Sequence, residues 1–290
     1  MAVLARIIFF VGFVHDYGEE NVHLHDALQV ADGDYLAAFD YLRDGSFFER
    51  KTDMIELYKF RLLVHVPSGL VMRMFGISDA SLALWFVACS VGVVWLTYRL
   101  GTIMYERGTG LLAAATVAVF PFDVIWSSRV NSDVILSFFF YTSLLLVIRT
   151  VPPHGWRRAG QLLLAGVVAG VAYLAKIVAL ALTPLLIAFA WRLRGRKAAS
   201  LLLAGLALVF AAENVFYYDL TGVPFLHLRT AAAGVAKNVL EVFPFKSYEA
   251  LPGIVLHAYT DAFFFLKLLI GRLGQPLPDS YFFVWGGAAL

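Results

Sequence analysis

Apolar runs long enough to sit in a bilayer follow one another along most of this chain, and that succession restricts its fold more than any other feature. They lie near 81–98, 109–126, 134–149, 161–175, 177–191, 199–217, 253–270 and 281–290, with a shorter run at 2–14. A bilayer-crossing helix takes about 20 predominantly apolar residues. Inside the hydrocarbon only helices or closed barrels satisfy their own backbone groups. Composition agrees: 60% of the 290 residues are hydrophobic and 15% are charged, against roughly a quarter charged in an ordinary soluble domain. The expected fold is an all-α polytopic membrane protein of one domain, with about 8–9 transmembrane helices.

The runs at 2–14 and 281–290 are short for a crossing of about 30 Å at 1.5 Å per residue, so both ends read as clipped. Arg6 interrupts the first run, and no small-residue cleavage site follows before His15 and Asp16. The run therefore reads as a truncated first helix rather than a signal peptide. Linkers 99–108, 149–158, 192–197 and 271–276 hold ten basic residues against one acid, Glu106, which places them on the cytoplasmic side. The alternate linkers face outward and carry most of the acids. The longest, 15–80, exceeds an ordinary helix connection and is expected to have structure of its own. Stretches 34–42 and 55–63 read as interfacial helices, and 62–75, with Pro67, Gly69 and Arg73, as a helix dipping partway into the membrane.

Several chemistries drop out. A net charge of +2 gives no footprint for a nucleic acid, and a lone cysteine, Cys89, cannot form an intramolecular disulfide. The sequence lacks a Walker-type glycine loop, a His-Glu-x-x-His helix and a Gly-x-Ser-x-Gly elbow, the marks of three common ATPase and hydrolase designs.

The residues able to do chemistry lie at outer ends. Glu19 and Glu20 are adjacent carboxylates suited to a general base or to holding a divalent cation, although a solvated acidic loop would look the same. On a helix, Glu19, His23 and Asp26 share one face, while His23 and His25 are separated. Arg129 and Asp133 flank the next outer turn. Charges at a membrane edge pair or line a watery path, and spacing alone makes Asp133 the N-cap of the following helix. Lys176 interrupts an apolar stretch. It either snorkels to headgroups or faces a cavity, where its ammonium could hold a phosphate as a point charge. The guanidinium of Arg61 suits a phosphate bidentately. Glu213 precedes Tyr217 and Tyr218, an aromatic-belt pair, and a turn at Gly222 and Pro224.

Five patterns occur in order: Glu19-Glu20-x-x-His23-x-x-x-Ala27 with Gly33-Asp34-Tyr35; Arg61 through Pro67 to Phe75-Gly76; Phe120-Pro121 to Ser128-Arg129 and Asp133; Gly166, Gly170 and Lys176; and Glu213, Tyr217, Thr221-Gly222 and Pro224. Together they resemble the polytopic glycosyltransferases of the C superfamily, in the branch of dolichyl-phosphate-mannose protein mannosyltransferases and bacterial aminoarabinose transferases, over about residues 15–230. The resemblance implies inverting transfer of a sugar from a polyprenyl-phosphate donor to a lipid, glycan or protein acceptor on the outer face of a plasma or inner membrane. It implies that Glu19 takes the acceptor proton with Glu20 in support, and that Arg61, Arg129 and Lys176 meet the donor phosphate. Asp133, His23, Tyr35 and Glu213 would serve the acceptor or the scaffold. No cofactor or metal is expected, although a divalent cation could bridge the carboxylates and the phosphate. Glutamate stands where that family has aspartate, and His23 where it has tyrosine, which leaves Asp16 as an alternative base. A transporter or flippase of lipid-linked sugars would use the same cations without a base, and a truncated, inactive remnant is the remaining alternative.

Overall fold

The computed structural model describes residues 6, 19–35, 60–120, 124, 127, 130–149 and 156–230. All the described residues lie in one unit of the chain, 1–231. Eight helices of 13 residues or more follow in order: α1 (Glu19–Asp32), α2 (Leu62–Phe75), α3 (Asp79–Met104), α4 (Arg107–Val119), α5 (Ser132–Arg149), α6 (Trp156–Ala175), α7 (Ala179–Arg194) and α8 (Arg196–Thr221). Among the described residues there is no strand. Three helices, α3, α5 and α8, are long and apolar enough to cross a membrane, while α2, α4 and the 159–175 part of α6 are apolar but shorter.

Each of the six apolar runs between 81 and 217 thus becomes a helix in the expected order, and the segment 62–75 is helical over that whole range. The runs at 2–14, 253–270 and 281–290, and most of 34–42 and 55–63, lie outside the described residues. The ends of the last two are informative: Asp34 and Tyr35 follow α1 as irregular chain and turn, and Leu62 and Leu63 belong to α2.

Small residues decide which helices touch. Gly166 and Gly170 on α6 face α8, so a Cβ at Gly166 would run into the Leu202 carbonyl oxygen and one at Gly170 would come within 2.7 Å of Val209 Cβ. Gly205 returns the contact, facing the Leu163 carbonyl oxygen. Without a water-driven hydrophobic effect between helices in lipid, this close backbone approach is the main source of attraction. On its other side α6 receives a hydrogen bond from α5, where Ser143 Oγ donates to the Ala165 carbonyl at 2.7 Å. The hairpin α3–α4 closes in the same way at Gly101 and Gly110. The buried Arg6 donates to Ser90 Oγ of α3 at 2.8 Å and to the Ala118 carbonyl of α4 at 3.3 Å.

α3 begins with a capping box in which Ser78 and Ser81 satisfy each other's backbone amides, removing two of the orphan donors of a helix start. Pro67 interrupts the ladder of α2. It has no N–H for the carbonyl four residues earlier, and that carbonyl, on Leu63, instead accepts from Trp85 Nε1 of α3 at 3.1 Å. α1 lies against α2 at Gly69, where an added Cβ would meet Val30 and the Ala27 carbonyl. One turn before Gly69 is His65, and one turn before Ala27 is His23.

Candidate functional site

The α1–α2 crossing brings two imidazoles together. His23 Nδ1 lies 2.6 Å from His65 Nε2, with both rings buried. Arg61, just before α2, reaches His23 Nε2 at 3.2 Å and donates to Ser132 Oγ at 3.1 Å. A guanidinium has only donors, so His23 Nε2 must accept. The His23 proton then sits on Nδ1 and is donated to His65 Nε2. That leaves the His65 proton on Nδ1, which faces Asp26 Oδ2 at 3.6 Å. Chemistry thus fixes the whole series Arg61, His23, His65, Asp26, with His23 neutral. Desolvation by burial, followed by the charges of His65, Arg61 and Lys176, holds the His23 imidazole well below the ordinary histidine value.

The second cation arrives from α6. Lys176 Nζ donates to both carboxylate oxygens of Asp133, at 2.8 and 3.0 Å, and both side chains are partly exposed, 24% and 15%. The helix cap expected at Asp133 belongs instead to Asn131, whose Oδ1 accepts from the Asp133 amide at 2.9 Å. The amide side chain takes the N-cap role, which leaves the carboxylate free to turn toward α6. Snorkelling does not describe Lys176, since its charge is met inside the protein by a carboxylate. Arg61 and Lys176 therefore flank the first turn of α5, one through Ser132 and the other through Asp133. A helix N-terminus adds partial positive charge at that point.

A second polar cluster adjoins the first. Glu213 of α8 places Oε1 2.8 Å from His227 Nδ1, and both side chains are buried. The His227 ring stacks on Phe60 at 5.3 Å and on Tyr173 at 5.1 Å. Phe60 in turn meets Tyr217 edge-on at 5.1 Å. Tyr35 packs at the border of the two clusters, partly buried against Phe60 and Tyr217 and edge-on to His65 at 6.4 Å.

Of the expected site residues, the fold brings together Arg61, Lys176, Asp133 and His23, with Tyr35 and Glu213 alongside. Glu19 and Glu20 lie on α1, with Glu19 one turn before His23. Asp16 and Arg129 lie outside the described residues. Asp26 and His23 share a buried face of α1, as helical spacing requires, and His25 is exposed. His65, Ser132 and His227 were not foreseen. The signal for His65 was present, because a histidine set among Leu62, Leu63, Val64 and Val66 is expected to be buried with a partner. His227 had no such signal. Among the described residues no group of three or more His, Cys, Asp or Glu side chains could hold a metal ion.

Residues 67–217 match the sequence profile of the dolichyl-phosphate-mannose-protein mannosyltransferase family. No curated protein and no solved structure matches the chain.

Proposed function

The chain belongs to the dolichyl-phosphate-mannose-protein mannosyltransferase family and is a membrane glycosyltransferase, and from that premise we propose that it transfers a sugar from a polyprenyl-phosphate donor, with inversion, to an acceptor on the outer membrane face. The observation that carries this reading is the convergence of Arg61 and Lys176 on the first turn of α5.

A lipid phosphate is both the handle of the donor and its leaving group. As the bond between the anomeric carbon and the phosphate oxygen breaks, its electron pair stays with the phosphate, and positive groups fixed in advance lower the barrier. Arg61 supplies a planar fork for two phosphate oxygens. Lys176 supplies a point charge whose three N–H groups can be shared between Asp133 and the phosphate. His23 keeps Arg61 in place by accepting from it, and neutrality suits that role, since an imidazolium would set a second donor against the guanidinium.

The acceptor hydroxyl loses its proton to a carboxylate of the first outer segment. We assign this to Glu19 with Glu20 in support, Asp16 being the alternative. The place of Glu19 on α1, one turn from the residue that touches Arg61, supports the assignment. The reaction as proposed uses no metal. The acceptor is a lipid, glycan or protein hydroxyl.

The test is transfer by the full chain in liposomes containing polyprenyl-phosphate mannose. Arg61→Met and Lys176→Met are each expected to lose about 100- to 1,000-fold in kcat, the usual cost of one group that stabilises developing charge. Glu19→Gln should lose transfer while leaving donor binding intact, which separates transfer from lipid-sugar transport. Unchanged turnover in both cation variants would overturn the phosphate assignment, and unchanged turnover in the Gln variants of Glu19, Glu20 and the Asn variant of Asp16 would overturn the base.

A further inference from the structure

The chain returns sharply after α8. Gly222 ends the helix in the left-handed region at φ 71°, and three residues later Phe225 also has positive φ, 55°. A bulky residue there costs about 1–2 kcal/mol, and such strain persists only where the surroundings impose it. The result is that Phe225 is half exposed while Leu226 and His227 turn inward to 1% and 6% exposure. His227 is held between the rings of Phe60 and Tyr173, with Nδ1 on Glu213 Oε1.

Packing alone does not account for this arrangement. A carboxylate only accepts, so His227 donates from Nδ1 to Glu213 Oε1. Glu213 Oε2 and Tyr173 Oη are buried with no partner of good hydrogen-bond geometry among the described residues, although the hydroxyl is near enough to interact with Glu213. Two polar atoms therefore meet in one place unsatisfied, and apolar side chains of similar volume would be cheaper. One is a carboxylate oxygen that accepts and the other is a hydroxyl. A phosphate has only acceptors and would be repelled by Glu213. Neighbouring hydroxyls, which both donate and accept, match the set.

Position supplies the second link. Phe60 immediately precedes Arg61, and Tyr173 lies one helical turn before Lys176, whose amide still bonds to the Ala172 carbonyl at 3.3 Å. The pair that stacks on His227 is thus joined to the two cations that we assign to the phosphate. We propose that Glu213, His227 and Tyr173 form the subsite that reads the ring hydroxyls of the sugar attached to that phosphate. This rests on the transferase reading above, and it makes the three residues determinants of sugar specificity.

The experiment compares polyprenyl-phosphate mannose with its 2-, 3-, 4- and 6-deoxy analogues as donors for the full chain in liposomes. In the wild type, at least one deoxy position should lower kcat/KM about 10- to 100-fold, the cost of leaving a buried polar group unpaired. Glu213→Gln and His227→Ala should reduce the penalty at that position to less than about threefold while the other positions keep theirs. Tyr173→Phe guards against simple misfolding: it deletes an oxygen that no described protein atom satisfies, so it should melt no lower than wild type yet lose about 10-fold in kcat/KM. If all three variants discriminate among the deoxy donors as the wild type does, or if Tyr173→Phe transfers normally, the subsite assignment fails. If the wild type transfers sugar from no lipid-linked donor, the transferase reading fails instead, and the subsite with it.

Discussion

The middle and the C-terminal end of α6 are held by opposite physics. Its middle is fixed by glycines pressed against backbone, Gly166 and Gly170 on α8 and Gly205 facing them, with no charge involved. Its C-terminal end is fixed by charge, Lys176 bound through both oxygens of Asp133. The seam leaves no room for a side chain between the helices, whereas the end is partly exposed and carries charge. The difference teaches that the seam sets where Lys176 stands and the ion pair sets only how it points. A pattern that resembles a single motif, two glycines and a lysine, therefore performs two separable tasks.

Substitutions can break this division, beginning with the largest effect. Gly166→Leu drives a side chain into the Leu202 carbonyl, an overpacking that backbone cannot yield to, and should cost about 3 kcal/mol or more. Thermal melting in detergent should show it, and donor binding should fall in parallel because Lys176 moves with α6. A variant that melts normally would mean that the seam is not what positions the lysine. Lys176→Met strands the Asp133 carboxylate. For a pair this exposed, the cost falls between the buried and surface limits, about 2 kcal/mol. Adding Asp133→Asn to the same chain should restore most of the stability and none of the transfer, which isolates the chemical task from the structural one.

A smaller effect depends on pH. The folded value of His23 lies below its unfolded value of 6.5, so the unfolded chain binds the extra proton as pH falls through that range. Stability is full above about pH 6.5 and declines below it by at most about 1.4 kcal/mol per pH unit for this group. Asp26, His65, Arg61 and Lys176 are the other ionisable groups facing it. Melting of His23→Phe followed between pH 7 and 5 should lose part of that slope, and an identical slope in wild type and variant would remove His23 from the account. The smallest effect belongs to the α5–α6 hydrogen bond. Ser143→Ala should cost about 0.6 kcal/mol, typical of an interhelical bond in a bilayer, with turnover unchanged.

The sequence made some of this legible and withheld the rest for a physical reason. Charges inside apolar runs are conspicuous, so Arg61, Lys176 and Asp133 stood out, as did the order of the helices. Their partners were not visible, because which helix faces which depends on close contacts at Gly69, Gly166 and Gly205 that no local period encodes. Asp133 looked like a cap because it stands at a helix start, yet Asn131 two residues earlier takes that role, and the spacing suits either. His65 could have been inferred from its apolar context. His227 could not, since its inward turn depends on a positive φ at Phe225, a residue type that ordinarily avoids that conformation.

The hydrogen bond from Trp85 to the Leu63 carbonyl also places the parts in time. The helix containing Pro67 lacks one of its own backbone bonds and borrows it from a helix made later. A chain emerging N-terminus first has completed that short apolar segment before the indole exists, and an open carbonyl is costly in hydrocarbon. Biosynthesis must therefore keep the segment at a hydrated or chaperoned depth until its neighbour arrives. Nascent chains arrested at residue 78 and well beyond residue 104 should differ in protease protection around His65, and equal protection would mean that the segment settles unaided.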